Sequence, residues 1–176
     1  MCDFLPSAVP AEILRAVLDS ASERPSITGS SPWEVYIVSG AARDRLSSAL
    51  VEAALARSIA EVPGEGLQGH SRSRQNREDL QRYFGFFGAP HLFLVSMEPG
   101  EGRLLAGVDA GIHAGTFLSL LRSYGLSGVS QSHLRLFTDT IRSALAIDGP
   151  QEFLSCIAFG YPASHAESPV LSVALH

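Results

Sequence analysis

The sequence predicts a single α+β domain. Helical and extended patterns alternate along the chain, no internal repeat or linker divides it, and 45% of its 176 residues are apolar. A chain of this size hides about 70% of its unfolded surface on folding, enough for a real core.

Ala11–Ser22 comes first and sets Ile13, Leu14, Val17, Leu18 and Ala21 along one stripe of a helix. Glu23-Arg24-Pro25-Ser26 stops it, and Gly29-Ser30-Ser31-Pro32 reads as a loop. Trp33–Ser39 is β-branched and aromatic with partial alternation, hence a strand. Helical spacing returns over Ala41–Ala60 through Leu46, Leu50, Ala53, Ala54 and Leu55. Pro63–Ser73 has glycines, a proline and no periodicity, which predicts a mobile excursion; its reach extends to residue 87. Arg74–Tyr83 is a short polar helix running into Tyr83-Phe84-Gly85-Phe86-Phe87-Gly88, and His91–Met97 is a second strand. Leu104–Tyr124 is a long helix closed by Gly125 at the C′ position. Phe137–Ile147 is a further helix and Glu152–Phe159 a final strand.

The long helix is apolar nearly all round. Gly107, Gly111 and Gly115 recur every four residues beside Ala106, Ala110 and Ala114, a smooth surface on which another backbone can lie closely. Asp109 and His113 argue against a transmembrane span, since both would sit deep in hydrocarbon. A helix buried on all sides in so small a domain points to a subunit interface as well as a core, and a homodimer is the economical expectation.

Composition excludes several chemistries. All thirteen basic residues are arginine, so no Schiff-base, P-loop or pyridoxal-phosphate lysine exists; the bias fits a GC-rich coding sequence. The net charge of −5 opposes a nucleic-acid footprint, and the cluster Arg72, Arg74, Arg77 and Arg82, broken by Glu78 and Asp79, reads as a solvated helix face. Cys2 and Cys156 imply no disulfide framework and have no activating neighbour. His70, His91, His133, His165 and His176 lack metal-ligand spacing, so no metal is expected. The N-terminus shows no export signal, which predicts a cytoplasmic protein without membrane attachment.

Five motifs in order resemble the nitroreductase superfamily. They are Val9-Pro10-x-x-Ile13-Leu14; Ala21-x-x-x-Pro25-Ser26 with Pro32-Trp33-x-Val35-Tyr36-x-Val38; Phe86-Phe87-Gly88-Ala89-Pro90; Asp109 on a long helix ending in Gly125-Leu126; and Ala158-Phe159-Gly160-Tyr161-Pro162. The resemblance implies a nitroreductase-like mixed sheet flanked by helices, an obligate homodimer and an FMN site at each end of the interface. It also implies transfer of electrons from NAD(P)H to a nitroaromatic, quinone or other conjugated small molecule, with the flavin carrying the chemistry. Arg24, Pro25, Ser26, Gly29 and Ser31 fall on the family's phosphate-side loop. Gly125, Leu126, Ser127 and Gly128 match the stretch whose backbone amides face the flavin ring, and also read as an ordinary helix C-cap and turn. Residues 63–87 correspond to the family's helical excursion over the active site.

The phosphate side departs from the family pattern. Gly29 and Ser31 stand where the family has asparagine and glutamine, its basic Arg-Arg-Ser segment would precede Met1, and His165–His176 contains no arginine. Losing two or three charge-assisted hydrogen bonds would weaken FMN by about 3–9 kcal/mol, so weak or atypical binding is expected, with Arg24 the available substitute.

Candidate site residues follow from this. Asp109 and His113, spaced i, i+4, share a helical face on which a carboxylate can orient an imidazole, either as a general acid/base pair or as a structural hydrogen bond. Trp33, Tyr83, Phe84, Phe86 and Phe87 are candidates for a pocket taking a flat substrate, and each is also a candidate for plain packing. Three functional readings result: a flavin-dependent oxidoreductase, a flavin-free enzyme catalysing an isomerisation, dehydration or cyclisation, and a non-catalytic ligand-binding or partner subunit.

Overall fold

The computed structural model describes residues 3–23, 33–57, 74–100 and 102–163. Its helices are α1 (Ala11–Ser22), α2 (Gly40–Ala56), α3 (Arg74–Phe84), α4 (Arg103–Leu121) and α5 (Thr138–Leu145). Its strands are β1 (Trp33–Ser39), β2 (His91–Met97), β3 (Ser127–Gln131) and β4 (Glu152–Gly160). Short 3-10 turns at Phe86–Gly88, Arg122–Tyr124 and Ser132–Phe137 join them.

The strands form one sheet in the order β1-β2-β4-β3. Every hydrogen-bonded pair among the described strands is antiparallel, where the resemblance implied a mixed sheet. The reason lies in the connections. β2 and β3 run the same way on either side of α4, but β4 inserts between them in the opposite sense, so no described strand has a parallel neighbour.

The sheet separates two apolar layers. β2 is buried at every position, which explains its unbroken apolar run. Leu92 and Leu94 point among Leu46, Leu50, Phe84, Phe86 and Ile141 of the α2–α3–α5 layer, whereas Phe93 and Val95 point among Val17, Ala110 and Phe117 of the α1–α4 layer. Each such side chain contributes about 1.5–3 kcal/mol by leaving water. On β4, Val95 faces Ser155 and Ser96 faces Phe153, so Leu154 is the extra residue of a bulge. That extra residue shifts the alternation, putting Phe153 in the same layer as Cys156 and Ala158.

Three elements differ from expectation. β3 was not foreseen: Ser-Gly-Val-Ser-Gln has no apolar alternation and is extended because β4 pairs with it. The helix expected over Phe137–Ile147 begins at Thr138 after a 3-10 turn and ends at Leu145, with Ala146 left-handed at φ 52°. The second helix starts at Gly40 and ends at Ala56; residues 58–60 of its expected span lie outside the described residues, as do 63–73.

α4 is buried on one side only. Ala106, Asp109, Ala110, Ala114, Phe117 and Leu121 face the sheet, while Leu104, Leu105, Val108 and Ile112 are exposed. A Cβ placed on Gly107, Gly111 or Gly115 would meet nothing within 4 Å among the described residues, so none of these covers the glycine stripe. With its continuation to Tyr124 this helix is long and apolar enough to cross a membrane, but its Asp109 is seated on the sheet side.

Candidate functional site

At the C-terminus of α4 the chain turns sharply. Gly125 is left-handed, φ 70°, and two hydrogen bonds close the turn: Leu126 N–H donates to Leu121 O at 2.9 Å and Gly125 N–H to Arg122 O at 3.1 Å. This is a Schellman cap, for which glycine at C′ carries no Cβ penalty. The turn delivers Ser127 and Gly128 onto β3, an edge strand of the described sheet with one side of its backbone unpaired by any described strand. Leu126 is buried in the α1–α4 layer. A Cβ on Gly128 would come within 2.7 Å of methyls of Leu118 and Leu121, so the glycine lets β3 pack directly on α4.

Among the described residues the surroundings of Gly125 are open, with nothing within 4 Å of a Cβ built there. An open left-handed turn followed by an edge strand is a surface on which a flat polar ring can lie and meet backbone donors and acceptors. Arg24, Pro25, Ser26, Gly29 and Ser31 lie outside the described residues.

Asp109 and His113 sit on the face of α4 that meets β1. Asp109 is buried, and its Oδ2 accepts a hydrogen bond from Trp33 Nε1 at 3.2 Å. The His113 ring lies tilted against Trp33 at 4.6 Å and stacks with Phe93 at 5.8 Å. Burial pulls its pKa below the ordinary histidine value, opposed by a hydrogen bond to the Ala21 backbone and by the Asp109 charge. Asp109 and His113 both meet Trp33, one through the indole N–H and the other through its ring, and His113 also bonds the Ala21 backbone, so both help to clamp Trp33 and α1 onto α4.

The pocket candidates separate. Trp33 lies on the α1–α4 face, and the other four lie on the opposite face. Phe84 and Phe86 are fully buried: Phe84 meets Phe137 edge-to-face at 5.3 Å, and the Arg43 guanidinium lies over Phe86 at 5.6 Å and donates to Gly85 O. Both are core residues in this structure rather than pocket lining. Tyr83 and Phe87 are half-exposed, with their rings edge-to-face at 6.1 Å. Phe86 and Phe87 are both left-handed, φ 56° and 55°, a strain on non-glycine residues that turns the chain from α3 into β2.

Two polar residues missed at the sequence level join Tyr83. Gln131, buried at the end of β3, donates from Nε2 to the Tyr83 carbonyl at 2.8 Å, and its Oε1 is buried without a partner among the described residues. His133 Nδ1 lies 3.2 Å from the Tyr83 hydroxyl. Burial pushes the Tyr83 phenol up to about 12. No sequence signal links these residues, because some fifty positions separate them. Among the described residues no three His, Cys, Asp or Glu side chains are grouped as a metal site.

Comparison with known proteins follows the same lines. Residues 3–161 match the family model described as the Nitroreductase family. The chain is 34% identical over 181 residues to Nitroreductase NfnB of Mycolicibacterium smegmatis, an alignment covering 90% of this chain and 76% of that protein. It is 28% identical to a 4-nitrobenzoate reductase of a Nocardioides species, covering 93% of this chain and 76% of the relative. Among solved structures, the FMN-dependent nitroreductase NfnB from Mycobacterium smegmatis in complex with NADPH aligns with a TM-score of 0.75 at 31% identity, covering 90% of this chain and 81% of that one.

Proposed function

This chain belongs to the nitroreductase family, and from that premise we propose that it is an FMN-containing homodimer that passes electrons from NAD(P)H to a conjugated small molecule. It is a nitroreductase-like oxidoreductase. The comparisons favour this over a flavin-free enzyme or a non-catalytic subunit, since the similar NfnB structure is of an FMN-dependent nitroreductase holding NADPH.

The observation that carries the reading is the Gly125 turn opening onto the edge of β3. The residues present fit a flavin ring there: the turn leaves room among the described residues, the outer edge of β3 presents backbone polar groups, and the Leu118 and Leu121 methyls behind Gly128 make a firm floor. Gly125, Leu126, Ser127 and Gly128 would hold the ring side, and Arg24, Pro25, Ser26, Gly29 and Ser31 the phosphate side. When bound, FMN supplies reversible storage of two electrons. The chain's own residues orient and shield: Leu118 and Leu121 exclude water behind the ring, and half-exposed Tyr83 and Phe87 face the substrate.

The homodimer reading rests on α4. Leu104, at 80% exposure, with Leu105, Val108 and Ile112 forms an apolar strip beside open glycines, a surface suited to a second copy of the helix. A cytoplasmic location fits this chemistry, which draws on reduced nicotinamide.

Flavin content and turnover test the reading. The purified protein, or apoprotein given FMN, should carry close to one flavin per chain, sediment as a dimer and oxidise NADPH when 4-nitrobenzoate or a quinone is added. A protein that takes up no FMN at high micromolar concentration sinks the proposal.

A further inference from the structure

Tyr83 is held at both ends. Gln131 Nε2 donates to its carbonyl at 2.8 Å, and its hydroxyl meets His133 Nδ1 at 3.2 Å with the two rings 6.4 Å apart. The phenol is thereby fixed on the imidazole by an anchor in β3, and one ring nitrogen of His133 is occupied. Its Nε2 has no partner among the described residues, and the ring is half-exposed. His133 lies two residues beyond β3, the edge strand assigned above to the flavin ring, with half-exposed Tyr83 beside it and Phe87 against Tyr83. Phe84 and Phe86, by contrast, are closed into the core.

We propose that His133 is a catalytic residue whose Nε2 donates a proton to the substrate as it is reduced, and that Tyr83 is the positioning residue that fixes the imidazole. This rests on the oxidoreductase reading. A nitroarene becomes a nitrosoarene by the balance ArNO2 + H− + H+ → ArNO + H2O. The hydride equivalent, which originates in reduced nicotinamide, adds to one nitro oxygen, and the proton goes from imidazolium Nε2 to the other, giving ArN(OH)2. One N–O bond then breaks, and that hydroxyl takes the proton of the remaining O–H and leaves as water, giving ArNO. His133 is left neutral and regains its proton from solvent at its exposed edge. The Tyr83 phenol stays neutral, so it contributes a hydroxyl and no charge beside the imidazole.

Two electron acceptors separate this role from a structural one. On the FMN-loaded protein, 4-nitrobenzoate takes up protons with its electrons, whereas ferricyanide takes electrons alone. His133→Gln should lower kcat for the nitroarene about 100-fold, the range of general acid catalysis, with ferricyanide turnover within about twofold of wild type. The FMN Kd of the apoprotein, followed by flavin fluorescence, should also stay within about twofold, because His133 is not among the groups assigned to hold the ring. Tyr83→Phe should show the same selectivity at about a tenth of the size, since the imidazole remains. His133→Asn serves if the glutamine variant does not fold. A parallel fall with both acceptors, a fall explained by weaker FMN binding, or no fall overturns the proposal. A wild type that reduces neither acceptor overturns the oxidoreductase reading and this one with it.

Discussion

His113 and His133 are both half-buried and both lie beside aromatic rings, yet their surroundings differ. His113 lies tilted against Trp33 and stacked on Phe93 between α4 and β1, is bonded to the Ala21 backbone, and has as its neighbour a buried carboxylate that accepts from the Trp33 indole. Among the described residues His133 has one side-chain hydrogen bond, to Tyr83, and a second nitrogen that none of them claims. An i, i+4 Asp–His spacing shows that two side chains share a helical face, but the meaning of that face depends on what the tertiary fold sets against it. On α4 it is set against an indole and a strand, and the pair secures packing. After β3 an isolated histidine without any motif finds a phenol and an open edge.

The largest test of this contrast concerns the aromatic residues. Phe117, stacked on Phe93 at 4.1 Å, and Phe84 are fully buried in opposite layers, so either replacement by alanine should cost about 3–5 kcal/mol in urea unfolding. Tyr83→Phe should cost under about 1 kcal/mol, since it loses one half-exposed hydrogen bond. If Phe84→Ala leaves stability nearly intact and raises KM instead, Phe84 lines the pocket and the division of the aromatic run is wrong.

Asp109 comes next. Asp109→Ala leaves the Trp33 indole N–H without its acceptor and should cost about 1–3 kcal/mol. In a cycle with Trp33→Phe, which removes the donor, the two changes should couple by about 0.5–3 kcal/mol. Additive losses would mean that Asp109 works through another group. Loss of turnover in Asp109→Asn with stability and dimer unchanged would restore the catalytic reading of the pair.

Legibility in the sequence followed the range of the forces involved. The bounds of α1, β1 and β2 could be read directly, because a one-sided stripe, a β-branched run and a continuous apolar run are local consequences of burial. Gly125 was legible as a helix cap for the same reason: its left-handed backbone is a local demand. β3 was not, since Ser127–Gln131 is extended through its partner rather than its own pattern. The family resemblance led to the turn at residues 125–128, but the Gln131–Tyr83–His133 tie joins α3 to β3 through tertiary contact and left no mark on spacing. Phe84 and Phe86 could not be told from Tyr83 and Phe87 in an unbroken aromatic run, because the two left-handed residues that redirect it are not glycines.

The smallest expected effect is the titration of His113, which Trp33 can report. Trp33 is the chain's sole tryptophan and its ring lies 4.6 Å from the imidazole, close enough for an imidazolium to quench indole fluorescence. Burial lowers the folded pKa below 6.5, so fluorescence should hold steady through pH 6.5 and fall only at lower pH, and His113→Gln should abolish the transition. The stability effect has a definite sign. Above pH 6.5 the histidine is neutral in both states; as pH falls below that, the unfolded chain takes up the proton first, and stability declines until the folded form is protonated too. His91 adds a decline of the same sign, because burial lowers its pKa and its Nε2 accepts the Val9 N–H at 2.8 Å, a bond that protonation removes. Urea unfolding of His113→Gln across pH 5–7 should keep the His91 share of the slope, while the Trp33 signal isolates the His113 share. A quenching midpoint above 6.5 would mean that the Asp109 charge outweighs burial, and the Asp109–His113 pair would then be an ion pair rather than a packed aromatic clamp.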